Sequence, residues 1–538
     1  MPRAIYDGAK RARYGAPHHR RLALESPRLG DGVAPVRNSL VCVPAVACLL
    51  AGCAVGPDFH RPAAPAVSRT TEKPLPAATL AVETPGGAAQ HFAIGKDVAG
   101  DWWALFQSPR LTKLIADALK QNPSLESARN TLRQAQETAL ADKGAWFPNL
   151  SGTLNRTRQE LSLAESGITG TGFQTSGTTF SVYTAQLNVS YTFDVWGQTR
   201  RTVEAAQAQA DQQRFQLEGA TTMLAANTAT AAINAAGLAA EIAAEEALVT
   251  AERDLLKTVR QQFEDGAATG SDVATQEAQL ANTEALLVPL QTQLAQTRDQ
   301  LAAYLGRAPS EADIPAFALD ELTLPGELPV SLPSQLVDQR PDIRASEAQL
   351  HTATAQVGVA ISNRLPQLTL SALVGTAPAT IGDAFTPGNG IWSLTNQLLA
   401  PIFQGGTLVH QQHAAEAQAR AAAANYRNIV VTAFQNVADV LTALQQDASA
   451  LAANQEAEHA AARSLELTRV QFSAGGVPYL SVLTAETQYQ NAVIGLLKAR
   501  SARYTDTVAL YVALGGGWWH RNDVPPPPAL FSAGLMRS

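Results

Sequence analysis

The sequence predicts a mainly α-helical fold with a smaller β part, built from two copies of one unit. The first observation is an internal duplication, because residues 260–306 and 469–515 match at a constant offset of 209 positions without a gap. The second is the absence of proline between Pro148 and Pro289, which leaves room for one very long helix. The third is a small number of runs in which apolar and polar residues alternate, as they do in β-strands.

The identities between the two copies are too many and too regular for chance, so one supersecondary unit should occur twice. The identical pairs include Gln262 and Gln471, Phe263 and Phe472, Gly266 and Gly475, Val273 and Val482, Glu277 and Glu486, and Gly306 and Gly515. The predicted organisation is a leader over residues 1–52, an extended N-terminal tether over 53–100, a first repeat over 101–325, a second repeat over 326–519 and a proline-rich tail over 520–538.

The N-terminal region has the order of a bacterial lipoprotein leader, with arginines, a short apolar run at residues 41–50 and two small residues before Cys53. Residues 50–53, Leu-Ala-Gly-Cys, resemble the lipobox, in which the chain is cut before the cysteine and the thiol is acylated. We therefore expect a covalent lipid on Cys53, with an ordinary signal peptide and an incidental cysteine as the alternative. Cys42 and Cys48 lie in the leader, so the body has no thiol for catalysis or metal binding.

Composition and motifs exclude several classes of function. Only 16% of the residues are charged, the net charge is −7, and no basic stripe occurs that would bind nucleic acid. The sequence has no phosphate-binding loop, nucleophile motif or paired-acid constellation, so it does not predict an enzyme. His410 and His413 are three positions apart, but no carboxylate or Cys completes a metal set with them, and we interpret them as surface histidines and not as a metal site.

The two copies predict the same order of elements. For the first copy these are helices to about residue 143 with a break at 122–123, a strand pair at about 147–195, a helix over about 199–264, a turn near 266 and a return helix over about 272–305. The first long helix would measure on the order of 100 Å. The second copy should have strands at 368–375 and 391–400, within about 365–402, then a long helix, a turn near 475 and a return helix. In that long helix a 3.5-residue repeat typical of coiled coils is formed by Val430, Phe434, Val437, Leu441 and Leu444.

The clearest strand is residues 186–193, where Leu187, Val189, Tyr191 and Phe193 fall on one face and polar residues on the other. This pattern fits a half-buried strand of a soluble sheet, or a transmembrane strand between lipid and a watery lumen. Four short strands cannot close a lipid-facing barrel alone, so strands would be pooled, giving eight from two chains or twelve from three. The long helices would continue the same tube beyond the membrane.

Several motifs occur in a distinctive order along the chain. They are residues 53–62 (Cys-Ala-Val-Gly-Pro-Asp-Phe-His-Arg-Pro), Asp101-Trp102-Trp103 followed by Phe106, Phe147-Pro148, 194–197 (Asp-Val-Trp-Gly), 340–344 (Arg-Pro-Asp-Ile-Arg), the two Phe-x-x-Gly turns and 514–518 (Leu-Gly-Gly-Gly-Trp). In this order and spacing they resemble the TolC family of outer-membrane efflux channels, in particular its NodT-type lipoprotein branch.

The resemblance implies a homotrimer in the outer membrane of a Gram-negative bacterium. Four strands per chain, twelve per trimer, would form a transmembrane β-barrel continuous with a long α-helical barrel in the periplasm. The channel would passively conduct small molecules or drugs, received from a periplasmic adaptor and an inner-membrane pump of the RND type. No cofactor is implied apart from the lipid on Cys53.

The resemblance also assigns roles to the two turns, which in that family are the periplasmic tips where the adaptor docks and the resting channel closes. The tip residues carried over are Gly266, Gly270, Ser271 and Asp272 in the first copy, and Gly475 and Gly476 in the second. A plain structural turn is the alternative for each glycine, since glycine lets a chain reverse sharply.

The two tips differ in charge. The family often has an Asp six residues after the tip glycine; the first copy keeps it as Asp272, whereas the second has Ser481. We therefore expect no strong acidic ring at the gate. The predicted gate residues are instead Tyr479, Leu480, Ser481 and Thr484.

Two other classes of protein remain open at this point. A lipid-anchored coiled-coil spacer or adhesin would have the same helices but would not conduct ions as a trimer. A periplasmic adaptor also has a helical hairpin, but it needs a β-rich biotinyl-like domain. For the cargo, Met223 and Met536 are the only methionines after the leader, which disfavours a dedicated route for monovalent copper or silver.

Overall fold

A computed structural model describes residues 54–67, 69–161 and 178–521. The predicted leader, the lipid site at Cys53 and nearly all of the predicted tail lie outside the described residues.

Two helices open the first repeat, and the break between them lies where the sequence predicts it. Helix α1 (Pro109–Gln121) has proline in its first turn, and the Ser108 side chain caps it by accepting from the Leu111 amide at 3.3 Å. Helix α2 (Pro123–Lys143) is capped by the Asn122 side chain, which accepts from the amides of the first turn. The predicted break at 122–123 is confirmed, because proline suits the first helical position but cannot continue a helix.

Two hairpins of long helices form the body of the structure. The first consists of α3 (Gln198–Glu264) and α4 (Gly270–Tyr304). The second repeat opens with the short α5 (Pro333–Gln339) and with α6 (Pro341–Ser362). The second hairpin consists of α7 (Thr407–Ser473) and α8 (Tyr479–Ala513). Each hairpin joins a helix of 67 residues to one of 35, so the duplication read from the sequence extends to the lengths of the elements.

Four strands form one antiparallel sheet in the order β2-β3-β5-β6: β2 (Asn149–Leu161), β3 (Thr178–Phe193), β5 (Gln367–Thr376) and β6 (Gly390–Leu399). The first pair is joined to the second by pairing of β3 with β5, in which Leu187 lies opposite Val374. Strand β3 begins at Thr178, eight residues before the predicted start at Gln186. The prediction began too late because apolar and polar residues alternate less regularly over residues 178–185.

The sheet has one mainly apolar and one mainly polar face. A row across the four strands on the first face contains Leu150, Val189, Ala372 and Leu394. The adjacent row on the other face contains Ser151, Asn188, Leu373 and Ser393. Alternation at period two therefore holds for both strand pairs, and the apolar side chains are largely exposed in the single chain.

The segment predicted as a tether is fixed to the body, which the sequence did not indicate. Strand β1 (His91–Ile94) pairs in parallel with β4 (Glu327–Val330), and Val98 is fully buried. Nearer the N-terminus, the Val55 amide donates to the Trp196 carbonyl at 3.0 Å. The contacts were missed because they come from single residues of a Pro- and Ala-rich stretch without a periodic pattern.

The main hydrophobic core lies where the N-terminal segments meet the middle of the long helices. Trp102 and Phe106, from a short 3-10 helix at Trp102–Phe106, are fully buried. The Trp102 ring stacks on Tyr511 of α8 with centroids 5.3 Å apart. Val437, Leu441 and Leu444 of the predicted 3.5-residue repeat are also buried here. Among the described residues, none of the helices combines the length and apolarity needed to cross a membrane.

Candidate gating and docking site at the helix tips

The longer helix of each hairpin, α3 in the first and α7 in the second, ends in the same hydrogen-bonded cap. At the first tip the Gly266 amide donates to the Phe263 carbonyl at 3.0 Å and the Ala267 amide to that of Gln262 at 2.7 Å. At the second tip Gly475 donates to Phe472 at 2.9 Å and Gly476 to Gln471 at 2.8 Å. These are the two bonds of a Schellman cap, which needs a left-handed residue after the helix.

The tip glycines supply that left-handed residue. Gly266 has φ +75° and Gly475 has φ +72°, and no atom lies within 4 Å of a Cβ built at either position. The repeated Gln-Phe-x-x-Gly pattern is thus the signature of this cap. The backbone conformation, and not a lack of space, requires glycine here.

The return helices start differently at the two tips. The Thr269 side chain accepts from the Asp272 amide at 3.2 Å, and the Asp272 carboxylate accepts from the Thr269 amide at 2.8 Å. Hydrogen bonds from the Thr269 side chain and backbone lower the pKa of Asp272. This reciprocal arrangement is a capping box, so the carboxylate that the sequence singled out is engaged in starting α4.

At the second tip Pro478 precedes α8 without a side-chain cap, and Ser481 occupies the position equivalent to Asp272. The two tips therefore share their descending ends and differ in their returning ends. The Ser481 amide is still satisfied, because it donates to the Pro478 carbonyl at 3.0 Å.

Tyr479, predicted as a pore-lining gate residue, lies inside the single chain. Its side chain is 6% exposed, and its ring meets Phe472 edge to face with centroids 5.7 Å apart. Its hydroxyl donates to the Gln276 side chain of α4, in the other hairpin. Packing between the hairpins thus occupies this ring in the described chain, and its role in narrowing a pore stays a prediction.

The hydrogen bond from Tyr479 to Gln276 is part of a larger buried network of polar side chains. The Gln276 side-chain amide donates to the Glu252 carbonyl at 3.2 Å, and the Thr283 hydroxyl donates to the Glu252 carboxylate at 3.0 Å. Glu252 is fully buried; burial raises its pKa, while the hydrogen bonds from Thr283 and Gln279 oppose the rise. The bond from Tyr479 to Gln276 therefore joins α8 to the packing of α3 against α4.

Two further contacts join α3 to α8 farther from the tips. The Gln490 side chain donates to the Glu245 carboxylate at 2.7 Å, and the Lys498 ammonium lies 3.8 Å from the Glu241 carboxylate. Burial raises the pKa of both glutamates. Polar contacts between the hairpins thus recur along the helices, at positions where a coiled coil would usually place apolar residues.

An ion pair recurs within each hairpin just above the tip. Arg260 pairs with Glu277 at 2.6 Å in the first copy, and Arg469 pairs with Glu486 at 2.8 Å in the second. The first pair is exposed, whereas the Glu486 side chain is 2% exposed. The identity of Glu277 and Glu486 in the duplicated stretch was the signal for this pair. No comparable signal pointed to Gln276 or Glu252, since their partners come from distant parts of the chain.

The remaining predicted tip and gate residues are accessible in the described chain. Gly270, Ser271 and Gly476 are exposed, as is Thr484, and Ser481 is half-buried. The Leu480 side chain is 64% exposed. Leu480 is thus a large apolar group that the start of α8 presents to solvent.

The histidine pair is apart from the tips, near the start of α7. The rings of His410 and His413 lie 6.2 Å apart, and both residues are exposed. Within the described ranges, no group of three or more His, Cys, Asp or Glu side chains is arranged to hold a metal ion.

The duplicated hairpins and the two-faced sheet define a class of outer-membrane channel proteins. The solved structure of the outer membrane protein VceC from Vibrio cholerae is similar, with a TM-score of 0.71 and 27% identity, covering 78% of this chain and 100% of VceC. The sequence model for outer membrane efflux proteins matches residues 114–307 and 332–516. The chain belongs to this family, so it is an outer-membrane efflux protein of a Gram-negative bacterium.

Relatives with described roles agree with this assignment. The pyoverdine export outer membrane protein OpmQ of Pseudomonas aeruginosa is 29% identical over 431 residues, which are 80% of this chain and 90% of OpmQ. The toluene efflux pump outer membrane protein TtgC of Pseudomonas putida is 29% identical over 493 residues, covering 89% of this chain and 96% of TtgC. The family is one of efflux proteins and not of enzymes.

Proposed function

We propose that this protein is a passive trimeric conduit of a tripartite efflux system, gated at the helix tips. The observation that carries the proposal is the four-stranded sheet with one apolar face and with β2 and β6 at its edges. Unpaired strand edges are not tolerated in lipid. Pairing β6 of one chain with β2 of the next closes a barrel, and three chains supply the twelve strands that leave an open lumen.

The N-terminal segment supports a lipid anchor on Cys53. The Cα atom of Ala54 lies 2.7 Å from a Cβ built at Gly197, and the Val55 amide is bonded to the Trp196 carbonyl, where β3 passes into α3. A lipid attached one residue earlier would enter the membrane beside the strands. The covalent lipid is then a second membrane attachment, and no other cofactor is proposed.

The gate is proposed to act through the bond between the hairpins. In the closed state Tyr479 of α8 holds Gln276 of α4, and Leu480, Ser481 and Thr484 face the threefold axis. Opening requires the α7–α8 hairpin to move away from α4, so the Tyr479 hydroxyl must lose its partner. The tip residues Gly266, Gly270, Ser271, Asp272, Gly475 and Gly476 are proposed to contact a periplasmic adaptor, which delivers cargo from an inner-membrane pump of the RND type.

The cargo is proposed to be a small organic molecule. The relatives named for pyoverdine and toluene export handle organic compounds. The described part of the chain holds a single methionine, Met223, whose side chain is 48% exposed on α3. One thioether per chain disfavours a dedicated route for a soft metal ion.

Single-channel recording in planar lipid bilayers tests both conduction and gating. The purified protein should have the mass of three chains and show rare, small openings. Tyr479→Phe removes the hydroxyl and leaves the buried Gln276 oxygen without its donor, so the open fraction should rise about tenfold. The matched control is Tyr489→Phe, which removes a hydroxyl from the same helix and should behave as the unmodified protein. Absence of any conductance would reject the channel, and equal open fractions in the two variants would reject the gate.

A further inference from the structure

An apolar groove lies on the apolar face of the four-stranded sheet, beside the connection that joins β5 to β6 at their ends away from the long helices. Its volume is about 800 Å³. Its floor includes Gly152 and Ala185, which are too small to fill it, and its sides include Leu154, Leu187 and Val374. A Cβ built at Gly152 would meet only the Leu187 side chain, at 3.7 Å, so the space above the floor is open.

The far wall of the groove is the connection between β5 and β6, which is held to the strands by hydrogen bonds. The Thr376 hydroxyl donates to the Ala384 carbonyl at 2.7 Å, and the Tyr183 amide of β3 donates to the Pro378 carbonyl at 2.9 Å. Phe385 follows Ala384 and is 99% exposed. A fixed wall that displays a fully exposed phenylalanine over an apolar floor is suited to hydrocarbon.

Two arginines follow the groove on the same face of the sheet. Side chains at positions 152, 154, 156 and 158 of β2 share a face, since successive residues alternate, so Arg156 and Arg158 continue the row of Leu154. Both arginines are exposed, and neither forms an ion pair with a described residue. The Arg156 guanidinium lies 5.4 Å from the centre of the Tyr183 ring, which positions it beside the groove. The acidic Glu160 comes next on this face, farther from the groove.

We propose that this surface binds one molecule of a phosphate-bearing lipid of the outer leaflet. An acyl chain lies in the groove against Leu154, Leu187 and Phe385, and a phosphate of the head group is held by Arg156 and Arg158. The inference rests on the proposed membrane channel, in which the apolar face of the sheet contacts lipid and the β5–β6 connection lies at the outer surface of the membrane. It adds a specific lipid site to a face that otherwise needs only to be apolar.

Charge and depth favour this occupant. Arginine on the lipid-facing side is costly at the middle of a bilayer but costs little near its surface, where head groups lie. A guanidinium can donate two parallel hydrogen bonds to a phosphate, and such bonds are stronger than those to neutral groups. An uncharged lipid would fill the groove equally well but would not offer either arginine an anionic group.

Native mass spectrometry of the purified, assembled protein tests the inference. The probes are bis-phosphorylated lipid A and its dephosphorylated form, which have the same acyl chains. Wild-type protein should retain the phosphorylated form more strongly. Arg156→Glu/Arg158→Glu should weaken its retention about a hundredfold, about tenfold for each lost arginine contact. Gly152→Phe, which fills the groove and leaves both arginines, should reduce the retention of both forms.

Arg463→Glu is the control, because it changes the charge of an exposed arginine on α7, far from the strands. It should retain lipid as wild type does. Equal retention of the two probes, or equal retention by Arg156→Glu/Arg158→Glu and the control, would overturn the inference. Conductance of each variant in phosphatidylcholine bilayers is recorded in parallel. A protein that conducts normally but does not retain lipid A loses only this inference, whereas a wild-type protein that never conducts loses the proposed channel.

Discussion

Left-handed glycines occur in two different surroundings in this protein. At the tips, Gly266 and Gly475 are open on all sides, so an added Cβ would meet nothing. In the run after α8, Gly517 has φ +69°, and a Cβ there would lie 2.7 Å from the Val98 carbonyl oxygen and closer still to that of Ala99. The first kind of glycine is required by conformation alone, whereas the second is required by conformation and by close packing.

Alanine substitutions should separate these two requirements. Gly475→Ala should lower the free energy of unfolding by only about 1 kcal/mol, the usual cost of a left-handed non-glycine residue. Gly517→Ala should lower it by about 3 kcal/mol or more, because backbone atoms have to move. Denaturant unfolding of the purified protein measures both values. Equal losses for the two variants would contradict this account.

The sequence predicted the tip glycines because the duplication repeats them with their flanking Phe. It did not predict the orientation of Tyr479, whose partner Gln276 is 203 positions away in the chain. Periodicity places a residue on a helix face, but it does not say which of several neighbouring helices that face meets. The same limitation applies to Glu252, whose burial depends on how α3 packs against α4.

At the scale of elements, the contact between α7 and α8 contains an acidic pair next to a buried arginine. Asp447 of α7 faces Asp506 and Arg503 of α8. The Arg503 side chain is fully buried and donates to the backbone carbonyls of Gly86 and Ala88 in the N-terminal segment. Burial, then the hydrogen bond and charge of Asp506, raise the pKa of Asp447 to about 7, and Arg503 opposes the rise.

The raised pKa predicts that stability depends on pH. The folded state holds the Asp447 proton more tightly than the unfolded chain, whose value is 3.8. The contribution to stability is therefore fully present below about pH 4 and is lost as pH rises through about 7. Asp447→Asn keeps a neutral donor at this position, so it should reduce the slope of the melting temperature between pH 5 and pH 7.

Asp439→Asn, at an exposed position on the same helix, is the control for this measurement and should keep the original slope. Identical slopes for the two variants would show that another group dominates the pH dependence in this range.

The elements themselves were largely predictable. The sequence predicted α3 over 199–264, and the helix runs over Gln198–Glu264. The prediction was accurate because these 67 residues contain neither a proline nor a strong capping signal that would end a helix. Strands β1 and β4 were missed, since each has four residues and no alternating pattern. Helix α4 contains Pro289, and the predicted return helix over about 272–305 already included this proline.

At the scale of the whole molecule, the proposed trimer requires β2 of one chain to lie beside β6 of another. Within one chain the two strands are separated by β3 and β5, or roughly 14 Å at the usual strand spacing. A disulfide cannot span that distance. The chain has no cysteine after Cys53, so introduced thiols are the only ones in the body.

Cysteine pairs across the proposed junction should therefore cross-link separate chains. Thr153→Cys on β2 is combined in turn with Ser393→Cys, Thr395→Cys or Gln397→Cys on β6, all on the polar face. One of the three combinations should give disulfide-linked dimers and trimers on a non-reducing gel, and single-cysteine variants should give none of the trimers. Monomers alone in all three combinations, from protein that still conducts, would contradict the proposed closure.

The way the N-terminal segment is attached has a consequence for the order of folding. Arg201 of α3 binds Asp58 at 2.6 Å, and a Cβ at Gly56 would lie 2.5 Å from the Cα atom of Gly358 in α6. Residues 56–58 thus dock onto a seam between the two repeats. That seam does not exist until the second repeat has been synthesised and has packed on the first, so residues 56–58, although synthesised early, are among the last of the described residues to reach their native position.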